Sequence, residues 1–315
     1  MKRSIPFLLF ILWLLLASAC AGDAPDQEPL RIAVLPILDS LPIFVAEQEG
    51  FFAEQGVTVE LIPVASAPER DQFMQAGQID GMINELVSTF FYNQDEIRIS
   101  IVRLARVATA EAPVFRILAA ADSGIENPED LIGVPIGISE GTVIEYTTDR
   151  MLEAAGLRAD QIERVAVPKI SDRFALLQSG QLSAANLPDP LASLAIQNGA
   201  HLVIDDRIIP SLSNSVLSFR VDVLQARPEA VRAFLRALEQ AVEAINQDQG
   251  RWGDLLSERE LVPPPLLGSY QIPAYPIASV PSPEQFSDAL QWAVEKELVH
   301  PHIPFEGSVT DAFLP

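Results

Sequence analysis

Residues 74–80 read Met-Gln-Ala-Gly-Gln-Ile-Asp and residues 177–183 read Leu-Gln-Ser-Gly-Gln-Leu-Ser, 103 positions apart with no gap. Arg70 and Arg173 fall at the same offset, preceded by Glu69 and Asp172. A repeat of this length means that one supersecondary pattern is used twice. Upstream of each copy the same order recurs. Arg31–Leu35 and Val134–Ile138 are short apolar runs, each followed by a polar turn and a helical stretch that ends at Gly50 or Gly56 in the first copy and Gly156 in the second, where a C-cap glycine belongs. Val57–Val64 and Ile162–Val167 are β-branched runs with period-two character, as strands require. Strands alternating with helices predict an α/β unit with a mixed, mostly parallel sheet flanked by helices, and two such units in tandem predict two lobes.

Pro113 breaks the pattern within Glu111–Arg116, and a second break falls in Ser211–Val216. These breaks divide the chain into lobe 1 (residues 30–113 and 216–315) and lobe 2 (residues 114–215). Beyond the second break, Val216–Val221 reads as a strand. Pro228–Asn246 reads as an amphipathic helix with proline at its start. Pro263–Pro283, rich in proline and aromatics, reads as an extended wrap over one lobe, and Pro283–Glu297 as the last helix.

The N-terminus has its own logic. Lys2 and Arg3 precede the apolar run Ile5–Ala17, and Ala17-Ser18-Ala19 lead into Cys20, the single cysteine of the 315 residues. That order predicts a secretory signal peptide over residues 1–19. A helix of the run's thirteen residues reaches about 20 Å, short of the roughly 30 Å hydrocarbon core. An uncleaved anchor is the weaker reading. The small-small-Cys ending resembles a bacterial lipobox, although Ala17 stands where that pattern prefers Leu, with Leu16 one place further back. Cys20 is then the lipidation site, each buried methylene of its acyl chains adding about 0.8 kcal/mol of membrane affinity, and residues 20–29 form a tether. Ordinary cleavage without lipid is the alternative.

A formal net charge of −22 disfavours nucleic acid and anionic headgroups as partners. With one cysteine and three histidines, His201, His300 and His302, no metal centre or cofactor is expected.

Ala46–Val59 (Ala-Glu-Gln-Glu-Gly-Phe-Phe-Ala-Glu-Gln-Gly-Val-Thr-Val) resembles the first lobe of the substrate-binding proteins of ABC importers, in the sulfonate, nitrate and thiamin-pyrimidine (NMT1/THI5-like) subgroup. Asp130–Ile138 (Asp-Leu-Ile-Gly-Val-Pro-Ile-Gly-Ile), and Leu176–Leu182 followed by Pro188-Asp-Pro, resemble its second lobe, with Ser183 departing from the family's usual Asp. The resemblance implies a two-lobed type II periplasmic-binding-protein fold. It also implies a monomeric, lipid-anchored extracytoplasmic receptor for a small organic solute, with an ABC permease and its ATPase as partners. Sulfonates, nitrate-like anions, pyrimidines and flavins all fit. A bilobed sensor presenting its ligand to a membrane receptor is the alternative.

In open α/β sheets a ligand lies beyond the carboxyl ends of the strands, against helix N-termini. That rule selects Asp39, Ser40, Ser66, Asn84 and Glu85 in lobe 1, and Ser139, Gly141, Thr142, Asn186 and Asp189 in lobe 2, with Tyr146 one turn into its helix as a stacking surface. Helix capping competes for Asp39 and Ser40, a hinge or capping role for Asn84, Glu85, Asn186 and Asp189, and core packing for Tyr146. Glu85 and Asp189, if both face the ligand, favour a neutral or amino-bearing solute over a simple anion.

Gly137-Ile-Ser-Glu-Gly141 also matches the nucleophile elbow of a serine hydrolase, between a predicted strand and a predicted helix. A triad would need Ser139, Asp189 or Asp205, and one of the three histidines. No His-Gly-Gly oxyanion stretch lies upstream, and the repeat would go unexplained. Thiamin-pyrimidine synthases, which resemble this chain in fold, carry a cysteine-rich iron-binding segment that nothing after Cys20 supplies. The expectation is a binding protein and not an enzyme.

Overall fold

A computed structural model describes residues 28–315. The signal segment, Cys20 and most of the tether lie outside the described residues. The sheet of lobe 1 is assembled from β1 (Leu30–Val34), β2 (Val59–Pro63), β3 (Gly81–Asn84), β4 (Ile99–Val107) and β10 (Asn214–Arg220), in the order β2-β1-β3-β10-β4. That of lobe 2 contains β5 (Phe115–Ala119), β6 (Ile136–Ile138), β7 (Arg164–Ala166), β8 (Ala184–Pro188) and β9 (His201–Asp205), in the order β7-β6-β8-β5-β9.

In each sheet four strands run one way and one, β10 or β5, runs against them: β1 pairs parallel with β2 and β3, and β6 with β7 and β8. β10 is antiparallel to β3 and β4, and β5 to β8 and β9. The repeat seen in the sequence is therefore a repeat of strand order. The central strands β3, β6 and β8 are wholly buried, which is why they read as runs of apolar and small residues interrupted only by Asn84 and Asn186. The edge strand β2 is only half-buried, with no fully buried position.

The chain crosses between the sheets at residues 108–114 and 206–213, and the two crossovers run side by side. The Ala108 amide donates to the Ser213 carbonyl at 3.0 Å. The buried carboxylate of Asp206 accepts from the Val114 amide at 3.1 Å and the Phe115 amide at 2.8 Å, tying one crossover to the other.

Three C-terminal elements brace lobe 1. The helix Pro228–Gln247 starts on a proline that needs no amide partner, and its apolar positions 231, 234, 235, 238, 242 and 245 recur every three or four residues. That stripe is buried against the helices Leu41–Gln48 and Phe51–Glu54, with Phe234 stacked on Phe52 at 5.2 Å. The proline-rich segment that follows has one 3-10 turn, Pro264–Leu266, and is otherwise irregular. Its Tyr275 hydroxyl donates to the Leu38 carbonyl at 2.6 Å.

The last long helix, Pro283–Glu295, is opened by a Ser282/Gln285 capping box and closes before Glu297, which has a left-handed φ of 58°. It does not belong to lobe 1 alone. It packs on the helix Leu86–Tyr92 of lobe 1, while Trp292 Nε1 donates to Asp149 of lobe 2 at 2.9 Å. None of the described helices is long and apolar enough to cross a membrane.

Candidate functional site

The carboxyl ends of the central strands of both sheets face one another across a cleft of about 80 Å³. Lobe 1 contributes Leu35, Asp39, Arg70, Asn84 and Glu85, and lobe 2 contributes Ser139, Thr142, Ile144, Ile170 and Arg173. Val114 and Ser215, at the ends of the crossovers, also line it.

Arg70 and Arg173 are the repeat-related pair, and both are buried. Arg70 Nη1 donates to the Ile83 carbonyl at 3.3 Å, and Arg173 Nε donates to the Asn186 carbonyl at 2.9 Å, so the carbonyls too are 103 residues apart. Here the symmetry stops. Arg70 is held by Asp71 at 2.9 Å and Glu85 at 3.1 Å. Arg173 donates otherwise only to the carbonyls of Val167 (2.7 Å) and Pro168 (3.2 Å), and its Nη2 has no partner among the described residues. Burial without a carboxylate pulls its guanidinium down to about 10, still protonated at neutral pH.

Five of the residues selected from the sequence line the cleft: Asp39, Asn84, Glu85, Ser139 and Thr142. Most are already engaged. Asp39 faces Arg106 Nη1 at 3.4 Å. Asn84 donates to Thr89 Oγ1 at 3.0 Å and accepts from Ser218 Oγ at 2.7 Å. Glu85 caps its helix by accepting from the Ser88 amide at 2.7 Å while it pairs with Arg70. Thr142 accepts from the Ile144 amide at 3.2 Å and donates to the Ser139 carbonyl at 2.8 Å. Ser139 Oγ is buried and has no partner among the described residues.

The other six lie elsewhere. Ser40 donates to the Leu35 carbonyl at 2.9 Å inside its own turn, and Ser66 caps the helix Ala67–Gln75 through the Glu69 amide at 3.3 Å. Gly141 supplies a left-handed turn at φ +64°, its amide donating to Glu145 at 2.8 Å. Asn186 is folded beneath the helix Val143–Ala154, donating to the Ile144 carbonyl and to Thr148 Oγ1. Tyr146 is almost fully buried between the lobes. Its hydroxyl donates to Asp288 at 2.7 Å and its ring packs edge-on against Trp292 at 5.4 Å, which removes it as a stacking surface for a ligand. Asp189 borders a neighbouring pocket and is paired with Arg116 at 2.5 Å. With Glu85 and Asp189 both neutralised by arginines, the argument against an anionic solute falls.

Sequence reasoning missed Arg70, Arg173 and Ser215 as lining residues. The signal for the arginines lay within the repeat itself.

The Gly-x-Ser-x-Gly pattern has a packing explanation. A Cβ at Gly137 would lie 2.6 Å from Leu182 Cδ1 and 3.3 Å from Arg173 Cγ, so Gly137 makes room for the stem of Arg173. No histidine lines the cleft. His201 is exposed on β9 against the Ala121 carbonyl at 3.1 Å, and His300 and His302 are exposed near the C-terminus.

Two α/β lobes of this strand order, joined by paired crossovers around a cleft, define the class: a type II periplasmic-binding-protein fold. The chain belongs to the NMT1/THI5-like family, whose model matches residues 38–251. The formylaminopyrimidine-binding protein of Halalkalibacterium halodurans is 27% identical over 171 residues, 52% of this chain and 50% of that protein. The chain thus spans about half the length of that curated relative. Among solved structures, the periplasmic aliphatic sulphonate-binding protein SsuA of Escherichia coli superposes with a TM-score of 0.75 at 19% identity, covering 90% of this chain and 92% of that one. A ligand-binding component of an ABC-type import system from Staphylococcus aureus gives a TM-score of 0.75 at 14% identity, covering 91% and 98%. At such identities the likeness establishes the fold.

Proposed function

We propose that this chain is the extracytoplasmic solute-binding component of an ABC importer, capturing a small organic solute between its lobes and presenting it to a permease driven by an ATPase. One observation carries the reading. Ser139 Oγ and Arg173 Nη2 from lobe 2, and Ser215 Oγ from β10 of lobe 1, are buried on one interlobe cleft without partners among the described residues. Leaving a buried polar group unpaired costs about 1–3 kcal/mol, and a solute seated there would supply the missing partners. Relatives that bind formylaminopyrimidine and aliphatic sulphonate support solute capture. In this reading the protein is a monomer that breaks no bond, and acyl chains on Cys20 hold it at the outer face of the membrane.

Native mass spectrometry of the purified chain, before and after unfolding, tests the capture step. A small molecule released only on unfolding is the expected result. A chain that carries nothing and shows no compaction in X-ray scattering with any of a panel of sulfonates, carboxylates, pyrimidines and flavins contradicts it. For the anchor, Cys20→Ser should release the protein from membranes.

A further inference from the structure

We propose that Arg173 and Ser139 form an anion seat, and that the solute is a small organic monoanion: a carboxylate or sulfonate on an apolar body. This rests on solute capture at the interlobe cleft and adds the chemistry of what is captured.

The argument comes from the broken symmetry of the repeat. Positions 71 and 85 supply the two carboxylates that neutralise Arg70. The positions 103 residues further on hold Phe174 and Pro188, neither of which can carry charge. The adjacent acid does not compensate, because Asp172 is exposed and lies 3.9 Å from Lys169. Arg173 is 0% exposed, and its charge is met only by carbonyl dipoles.

A fully buried guanidinium without a counterion is strongly disfavoured. An anion arriving in the cleft removes that penalty, so part of its binding energy comes from the lobe's unpaired charge. Ser139 Oγ, buried and unpartnered on the same cleft, offers a second donor to a two-oxygen or three-oxygen head group.

The valence follows from pairing. Arg70 is met by Asp71 and Glu85, and Arg106, beside the cleft, by Asp39, so Arg173 is the one guanidinium of the three that faces no carboxylate. A dianion would bury a second negative charge with nothing to meet it. The apolar body follows from Leu35, Ile37, Ile83, Val114, Phe115 and Ile170, which cover much of the remaining wall. Inorganic anions have nothing to place against it, whereas a short alkyl chain does.

The test uses the full chain, unfolded and refolded to strip bound solute, with calorimetric titration of four-carbon probes that share one body: butanoate, butane-1-sulfonate, butanamide and butan-1-amine, with inorganic sulfate as the control. Butanoate or butanesulfonate should bind at least tenfold more tightly than the amide, the amine and sulfate, and the winner of the two identifies the head group. Tightest binding by the amide or amine overturns the anion seat and leaves solute capture standing. Binding by none of the probes, with nothing carried through purification, overturns both. Arg173→Met should lose at least tenfold in affinity for the winning anion. A second variant guards against misfolding. Pro188→Glu rebuilds in lobe 2 the pair that Glu85 makes in lobe 1, and should abolish anion binding while holding or raising the melting temperature. Anion affinity unchanged in a folded Pro188→Glu or Arg173→Met protein overturns the proposal.

Discussion

The phenol of Tyr270 donates a hydrogen bond to the carboxylate of Asp189, joining the proline-rich segment on lobe 1 to the end of β8 in lobe 2. Asp189 is fixed from behind by Arg116 and by Ser193 Oγ, both at 2.5 Å. Burial, with the negative charge of Asp189 beside it, pushes the Tyr270 hydroxyl well above its ordinary range, so it remains a donor. A hydrogen bond to a charged partner contributes about 1.5–3 kcal/mol, and opening of the lobes would break this one. Tyr270→Phe is therefore expected to shift the ligand-free chain toward open forms, seen as a larger radius of gyration in solution scattering. An unchanged radius would show that closure does not depend on this bond.

The lobes are also held together by Asp149. This buried carboxylate accepts from Arg164 Nε at 2.7 Å and Trp292 Nε1 at 2.9 Å, and pairs with Lys296 Nζ at 2.9 Å. Asp149→Ala leaves Glu145, at 3.7 Å, as the one carboxylate beside Arg164 and strands the indole N–H. Removing one partner of a buried ionic network costs about 3–5 kcal/mol. Urea unfolding should show an unfolding free energy lowered by that amount, read as a lower midpoint at unchanged slope. A loss below 1 kcal/mol would mean that Glu145 takes over both cations.

The parts of this fold that were legible were those whose patterns are local. The central strands announced themselves as apolar runs, and the long helix by its stripe. β4 is hidden in the sequence because Arg103 and Arg106 interrupt it, and each is buried against a distant acid, Glu239 and Asp39. β5 was obscured by Arg116 and Pro113, and β9 is half-exposed and begins on a histidine. In the site, strand ends located the right loops, yet which polar group stays free is a tertiary question. Tyr146 is claimed by Asp288, 142 residues away, and Asn186 by the helix above it. Arg173 was in view as half of the repeat. Its meaning lay in the comparison of Asp71 and Glu85 with Phe174 and Pro188.

The core of lobe 1 turns on Phe234. It is 0% exposed, stacks on Phe52 at 5.2 Å and meets Phe219 edge-on at 5.7 Å. Truncation to alanine removes a ring from a packed interior that can only partly collapse, at a cost of about 3–5 kcal/mol. Phe234→Ala should lower the urea midpoint accordingly. Phe234→Leu, which keeps most of the volume, should recover more than half of the loss. Equal losses in the two variants would argue that ring stacking, and not cavity formation, carries the energy.

The crossovers carry a pH dependence of their own. Asp206 is desolvated between them, and burial raises its carboxyl above the ordinary 3.8, against the opposing effect of hydrogen bonds from Ser213 and the Phe115 and Val114 amides. Between the ordinary value and the raised one, the folded chain holds a proton that the unfolded chain has released. Stability then falls as pH rises through that window, since its slope follows protons bound unfolded minus folded. The contribution is fully present below the unfolded value and lost above the folded one. Asp206→Asn removes this titration and leaves the other carboxylates in place. The unfolding free energy of the wild type, relative to Asp206→Asn, should therefore increase as pH falls from neutral to the ordinary carboxyl value of 3.8, measured in urea at both ends of that range. A difference that grows with pH instead would mean that the three donors outweigh desolvation and hold Asp206 ionised.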